Sequence, residues 1–224
     1  RGKGTLSVRR QDMKAFEVGR DVAATPGKVI FQNALMQLIQ YAPATENVRR
    51  RPLLIVPPWI NKYYVVDLGA KNSFVRWAVA QGLTVFVISW ANPAEKLAQK
   101  GFEDYLALGP LAALDAIEEA TGEHEVAAIG YCLGGTLLAC ALAHLAGEGD
   151  QRITAATLFT TMTDFVEPGE LSVFIDEEQL QSLEQQMGER GYLDGAQMAA
   201  AFSMLRANDL IWSFVVNNYL LGRD

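Results

Sequence analysis

An α/β fold, with helices laid over a parallel sheet, is predicted by three observations. Short apolar runs at Leu53 to Val56, Thr84 to Ser89, Val126 to Ile129 and Ala155 to Thr161 alternate with helical stretches, the pattern of parallel strands joined by helical crossovers. The third run leads into Gly130-Tyr131-Cys132-Leu133-Gly134-Gly135, a G-x-C-x-G turn, and then into the helix-forming run Thr136 to Leu145. With 224 residues, half of them apolar, the chain can bury a sizeable core as one domain plus a subdomain.

The elements follow from local signals. Lys28 to Gln32 and Met36 to Tyr41, entered through Thr25-Pro26-Gly27, read as an antiparallel hairpin at the sheet edge. The three central strands and the fourth after the elbow helix come next. Beyond Asp164 the texture changes. Pro168-Gly169 breaks the chain, and Asp176 to Met187, Ala196 to Leu205 and Leu210 to Leu220 read as helices, capped by Asp176 and by Asn208 or Asp209. Residues 1–164 are therefore expected to form the core, with the elbow at 130–135, and residues 165–224 a helical cap. An apolar stripe of Met198, Phe202, Leu205, Leu210, Trp212, Phe214 and Val215 is expected to face the elbow or a partner, leaving Cys132 buried until the cap moves.

A residue at the centre of such a strand-turn-helix elbow is where an α/β-hydrolase carries its nucleophile, on a strained turn whose glycines avoid collisions. A thiol there faces the N-terminus of the following helix, which favours the thiolate. The backbone N–H of Leu133 is placed to take half of an oxyanion. Pro57-Pro58 stiffens the loop after the first central strand, so the N–H of Ile60 is the candidate second donor; a proline cannot supply it. Trp59, Asn61, Lys62 and Asp67 are candidates to order this loop or meet substrate, and Trp59 with Tyr63-Tyr64 either lines an apolar channel or packs. An acyl group on sulfur stays activated as a thioester, so this nucleophile suits acyl transfer as well as hydrolysis.

The plainer alternative is a buried structural cysteine in an ordinary βα turn. A membrane span over Val126 to Ala146 is opposed by Gly134-Gly135 in its middle and by the flanks Glu123-His124-Glu125 and Glu148-Gly149-Asp150, which carry no basic bias. The net charge of −7 argues against nucleic acid as a partner. Cys132 and Cys140, the only cysteines, lie about 12 Å apart along one helix, too far for a disulfide, and a reducing compartment is expected. The opening Arg1-Gly2-Lys3-Gly4, without a start methionine or signal peptide, reads as a cut inside a longer protein.

A thiol nucleophile needs a base and an orienting acid. The two histidines do not serve: His124 precedes the nucleophile strand, and His144 lies about 18 Å down the elbow helix. Asp164 sits at the correct edge but has no base to orient.

The segment Pro57-Pro58-Trp59-Ile60-Asn61-Lys62-Tyr63-Tyr64-Val65-Val66-Asp67-Leu68 resembles the loop after the first central strand of polyhydroxyalkanoate synthases. Val87-Ile88-Ser89-Trp90-Ala91-Asn92-Pro93 is similar to the next strand-end motif of that family, Gly130 to Gly135 to its cysteine lipase box, and Asp164-Phe165, Val173 to Glu177 and Leu210-Ile211-Trp212 to its entry into the cap. The resemblance covers essentially the whole chain. It implies an α/β-hydrolase fold lacking its last strands, with the triad aspartate and histidine beyond Asp224 and a further domain before Arg1. It also implies polymerisation of 3-hydroxyacyl-coenzyme A onto a growing polyester through Cys132, a homodimer, a cytoplasmic location at the granule surface, and no metal or other cofactor. The 224 residues alone are then expected to be inactive. Arg49-Arg50-Arg51 reads as a solvated strand flank, with attraction of coenzyme A phosphates as the alternative. A cysteine hydrolase resembling dienelactone hydrolase, or a thioesterase, explains the elbow but not the other segments, and a scaffold without turnover is the non-enzymatic alternative.

Overall fold

The chain enters its sheet as a hairpin of β1 (Gly27–Gln32) and β2 (Met36–Tyr41). Asn33 makes the turn, its Oδ1 accepting from the N–H groups of Leu35 and Met36. This is a computed structural model, in which residues 15–169, 172, 176–193, 195 and 208–223 are described. There follow β3 (Leu53–Val56), the short antiparallel pair β4 (Asp67–Gly69) and β5 (Asn72–Ser73), α1 (Phe74–Ala80) and β6 (Val85–Trp90). After these come α2 (Phe102–Leu106), α3 (Ala112–Thr121), β7 (Val126–Tyr131), α4 (Leu133–Gly147) and β8 (Ile153–Phe159).

The main sheet has the order β1-β2-β6-β3-β7-β8, with β2 antiparallel to both neighbours and the other pairings parallel. Alternate residues explain the apolar runs. Leu54, Val56, Phe86 and Ile88 point to one face, where Leu114 and Ile117 of α3 and Leu137 of α4 cover them. Leu53, Ile55, Val85 and Val87 point to the other, against Val75, Ala78 and Val79 of α1. A strand covered on both faces needs no polar alternation, so its sequence reads as a continuous apolar run.

The strand order also sets the place of a site. β3 lies between β6 and β7, and the crossovers that leave β3 and β6 pass over opposite faces of the sheet. Such a reversal opens a crevice at the carboxyl ends of the strands. Val56 pairs with Gly130 there, so the loop after β3 and the elbow after β7 begin side by side.

Most elements fall within a few residues of the sequence reading, and two features depart from it. β8 starts at Ile153 and stops at Phe159, because Thr160 leaves the strand with φ 45°. Between α2 and α3 the chain widens into a π turn over Ala107–Leu111 that contains Pro110, the residue with no N–H to give a regular helix.

Beyond β8, α5 (Glu177–Arg190) is capped as expected by Asp176, whose carboxylate accepts from the Gln179 N–H at 2.8 Å. Its C-terminal Gly191 sits against Ala98, where an added Cβ would lie 2.4 Å from that methyl. The helix expected over Ala196 to Leu205, with Met198, Phe202 and Leu205, lies outside the described residues. Over Leu210 to Leu220 the structure has π turns, Asn208–Trp212 and Val215–Leu220, in place of a regular α-helix. Trp212 and Phe214 are 59% and 37% exposed, so this part of the expected stripe faces solvent and not the elbow.

Asp67 ties the start of the chain to the sheet. Only 2% exposed, its carboxylate accepts from Thr25 Oγ1 at 2.7 Å, from the Thr25 N–H at 3.2 Å and from Ser73 Oγ. Ser73 in turn caps α1 by accepting from the Arg76 N–H. Asp67→Ala strands these donors and is expected to cost about 2–3 kcal/mol, read as a lower urea midpoint at unchanged m value. Tyr41 is the contrast. Burial, reinforced by the charge of Asp67, pushes its phenol well above the ordinary value, and its hydroxyl has no hydrogen-bond partner among the described residues. Tyr41→Phe breaks no bond and is expected to leave stability unchanged or raise it by up to about 1 kcal/mol in the same titration.

Candidate active site

Cys132 connects β7 to α4 with φ 54° and ψ −125°, a conformation that costs a non-glycine residue about 1–3 kcal/mol unless its surroundings enforce it. They do. Its N–H donates to the Phe159 carbonyl at 2.9 Å, and its own carbonyl accepts from the N–H groups of Gly135 at 2.9 Å and Thr136 at 3.2 Å. The glycines answer to close backbone approach. A Cβ on Gly130 would lie 2.3 Å from the Gly135 Cα, and one on Gly134 2.1 Å from the Val56 carbonyl oxygen. On Gly135 it would lie 1.9 Å from Thr161 Oγ1. Thr136 Oγ1 donates to the Met162 carbonyl at 2.7 Å, so the turn after β8 buttresses the elbow from the other side.

Cys132 is half-buried at the head of α4, which corrects the expectation of a buried Cys132; Cys140, further along the helix, is exposed. Leu133 is the first residue of α4, where an N–H has no partner within the helix. In the loop after β3 the Asn61 N–H donates to the Pro58 carbonyl at 3.2 Å, while the Ile60 N–H donates to no backbone carbonyl among the described residues. The Trp90 indole N–H reaches back to the Pro57 carbonyl at 2.7 Å. The structure thus brings Cys132, Leu133 and the stretch from Pro57 to Ile60 to one end of the sheet.

The other candidates separate. Trp59 packs: its ring lies edge-on to Trp90 at 6.3 Å and to Phe102 at 6.2 Å, and is tilted on Tyr105 at 5.3 Å. Asn61 is exposed, and Lys62 Nζ donates to Asn92 Oδ1 at 2.6 Å, linking the loops after β3 and β6. Asp67 is buried, only 2% exposed. Its carboxylate is taken by Thr25 and Ser73, and it lines a cavity of about 320 Å³ with Pro26, Ala42, Pro43 and Arg76 that includes no elbow residue. Arg50 and Arg51 pair with Glu123 and Glu125 at the amino ends of β3 and β7, away from the elbow.

Neither histidine approaches the thiol. His124 is exposed on Glu118 at 3.1 Å, with the whole of β7, about 20 Å long, between it and Cys132. His144 is exposed in the last turn of α4. Asp164, also exposed, accepts from the Val166 N–H at 3.0 Å. Among the described residues no group of three or more His, Cys, Asp or Glu side chains could hold a metal ion, and no helix is long and apolar enough to cross a membrane. Sequence reasoning did not find the Trp90 bond or the Thr161-Met162 buttress. The tandem Gly134-Gly135 announces a close neighbour without saying which.

Comparison with known proteins adds the family. The α/β hydrolase fold model matches residues 72–204, and the model of the poly-beta-hydroxybutyrate polymerase N-terminus matches residues 1–78. Over 99% of its length the chain is 59% identical to a poly(3-hydroxyalkanoate) polymerase of Methylorubrum extorquens, covering 37% of that protein. It is 57% identical over 100% of its length to the polymerase subunit of Rhizobium meliloti, covering 36% of it, and 44% identical over 96% to that of Cupriavidus necator, covering 37%. The chain therefore spans little more than a third of these relatives. A hydrolase sheet with a cysteine at its elbow, similar from end to end to these polymerases, belongs to the α/β-hydrolase fold family and to its poly(3-hydroxyalkanoate) polymerase branch.

Proposed function

We propose that this chain is the nucleophile-bearing region of a polymerase that joins 3-hydroxyacyl-coenzyme A units into a polyester. The observation that carries the proposal is Cys132, held at φ 54° at the head of α4 beside the loop from Pro57 to Ile60. A histidine, which the two in this chain do not provide, takes the thiol proton, and the thiolate attacks the thioester carbonyl. The oxyanion of the tetrahedral intermediate is met by the N–H groups of Leu133 and Ile60. The carbon–sulfur bond to coenzyme A breaks, and coenzyme A leaves as its thiol with the proton. The hydroxyl of a second unit or of the growing chain then attacks the acyl group on Cys132, its proton passes to the base, and an ester forms as the cysteine is released. The mechanism calls for no metal or redox cofactor.

Residues 165–224 act in this reading as a cap that limits the access of water, so that transfer competes with hydrolysis. The whole protein works as a homodimer at the granule surface in the cytoplasm. Neither histidine of the 224 residues reaches Cys132, so the chain alone should not sustain turnover.

The test follows coenzyme A release from 3-hydroxybutyryl-coenzyme A with a thiol reagent in a full-length polymerase carrying this chain, and analyses the product. Polyester with little free 3-hydroxybutyrate is expected. One free acid per coenzyme A released is the outcome a thioesterase or a dienelactone hydrolase-like enzyme gives, and it refutes the polymerase reading.

A further inference from the structure

We propose that Trp90 is a positioning residue for the oxyanion loop, its indole N–H fixing the Pro57 carbonyl and thereby the direction of the Ile60 N–H. The inference rests on Cys132 as nucleophile, as argued above. Trp90 ends β6, is 9% exposed, and donates from Nε1 to the Pro57 oxygen at 2.7 Å.

The two prolines make this bond matter. The φ angles of Pro57 and Pro58 are fixed by their rings, and a residue before proline is confined to extended ψ, roughly +120 to +160°. The ψ of Pro57 is therefore the main freedom left between the end of β3 and Pro58, and the direction of its carbonyl is the direct expression of that angle. A hydrogen bond to this oxygen selects one value within the window.

The indole is itself wedged. Its far edge fits Gly109 in the π turn between α2 and α3, where an added Cβ would lie 2.3 Å from the ring carbon Cη2. Tyr105 packs on it at 5.4 Å, and the loop's own Trp59 at 6.3 Å. The head of α4 lies against the same peptide, where a Cβ on Gly134 would fall 2.7 Å from the Pro57 carbonyl carbon and oxygen. The indole and the head of the nucleophile helix both meet the Pro57 carbonyl. Rotation at Pro57 swings everything after it, and a misplacement of about 1 Å in such a site can cost on the order of 100-fold in rate.

The experiment replaces Trp90 in a full-length polymerase carrying this chain by phenylalanine, which keeps an aromatic ring but has no N–H. A second variant carries 3-benzothienylalanine, which keeps the indole shape with sulfur in place of N–H. Trp77→Phe on α1, at a residue 54% exposed, is the control for tryptophan loss. Both Trp90 variants are expected to lose about 10- to 100-fold in kcat for 3-hydroxybutyryl-coenzyme A, with KM within about threefold and the alkylation rate of Cys132 unchanged. Parent-like kcat in the benzothienyl variant, or a loss carried by KM alone, overturns the inference. Cys132→Ala, run in parallel, separates the two readings. If it polymerises, the nucleophile assignment fails; if it is dead while the Trp90 variants behave as the parent, only the role of Trp90 fails.

Discussion

Cys132→Ala, in a full-length polymerase carrying this chain, is expected to lower coenzyme A release by about 10⁴-fold or more and to leave no polymer. The size follows from what remains. Without the nucleophile, only binding and the oxyanion donors help the thioester react, with water as the attacking group. The substitution trims a half-buried residue and keeps a non-glycine residue at φ 54°, so the fold should survive and circular dichroism should match the parent. Cys140→Ala, at an exposed position on α4, should retain full activity. Polymer made by Cys132→Ala contradicts the mechanism.

Gly134→Ala should be strongly damaging. The added Cβ would meet the Val56 carbonyl oxygen at 2.1 Å and the Pro57 carbonyl at 2.7 Å, and both are backbone atoms between the central strand and its loop. No flexible side-chain end is available to give way. Either α4 withdraws from β3 or the loop moves, and each outcome separates the thiol from its oxyanion donors. A loss of about 3 kcal/mol in stability is expected, the upper part of the range for overpacking, with activity below about 1% of the parent. Gly147→Ala, in the last turn of the same helix and with nothing within 4 Å, should instead be neutral or up to about 1 kcal/mol stabilising. Thermal melts of the pair read the contrast directly.

The central strands were legible because β3 and β6 are covered on both faces, and such strands must be apolar throughout. The elbow was legible because three glycines at fixed spacing around a reactive residue answer to a specific crowding, which the distances at Gly130, Gly134 and Gly135 bear out. What escaped depends on partners far apart in the chain. Asp67 sits in a motif that invites a role with substrate, but Thr25 takes its carboxylate from 42 residues away. Trp90 reads as one more apolar strand end until its indole is seen on Pro57, 33 residues earlier. Thr160 and Thr161 carry strand propensity, yet the φ of 45° at Thr160 ends β8. Apolar spacing over Leu210 to Leu220 signals a helix without distinguishing regular turns from the wider π turns found there.

Trapping the acyl-enzyme tests the role of Cys132 most directly. Butyryl-coenzyme A forms the same thioester as the hydroxylated substrate but offers no hydroxyl for the next attack, so the acyl group should accumulate on its first acceptor. Full-length polymerase carrying this chain would be mixed with it, quenched in acid, digested and read by mass spectrometry. One butyryl group is predicted on the peptide containing Cys132, removable by neutral hydroxylamine as a thioester. Coenzyme A release with the label on any other residue, or with none on Cys132, contradicts the assignment.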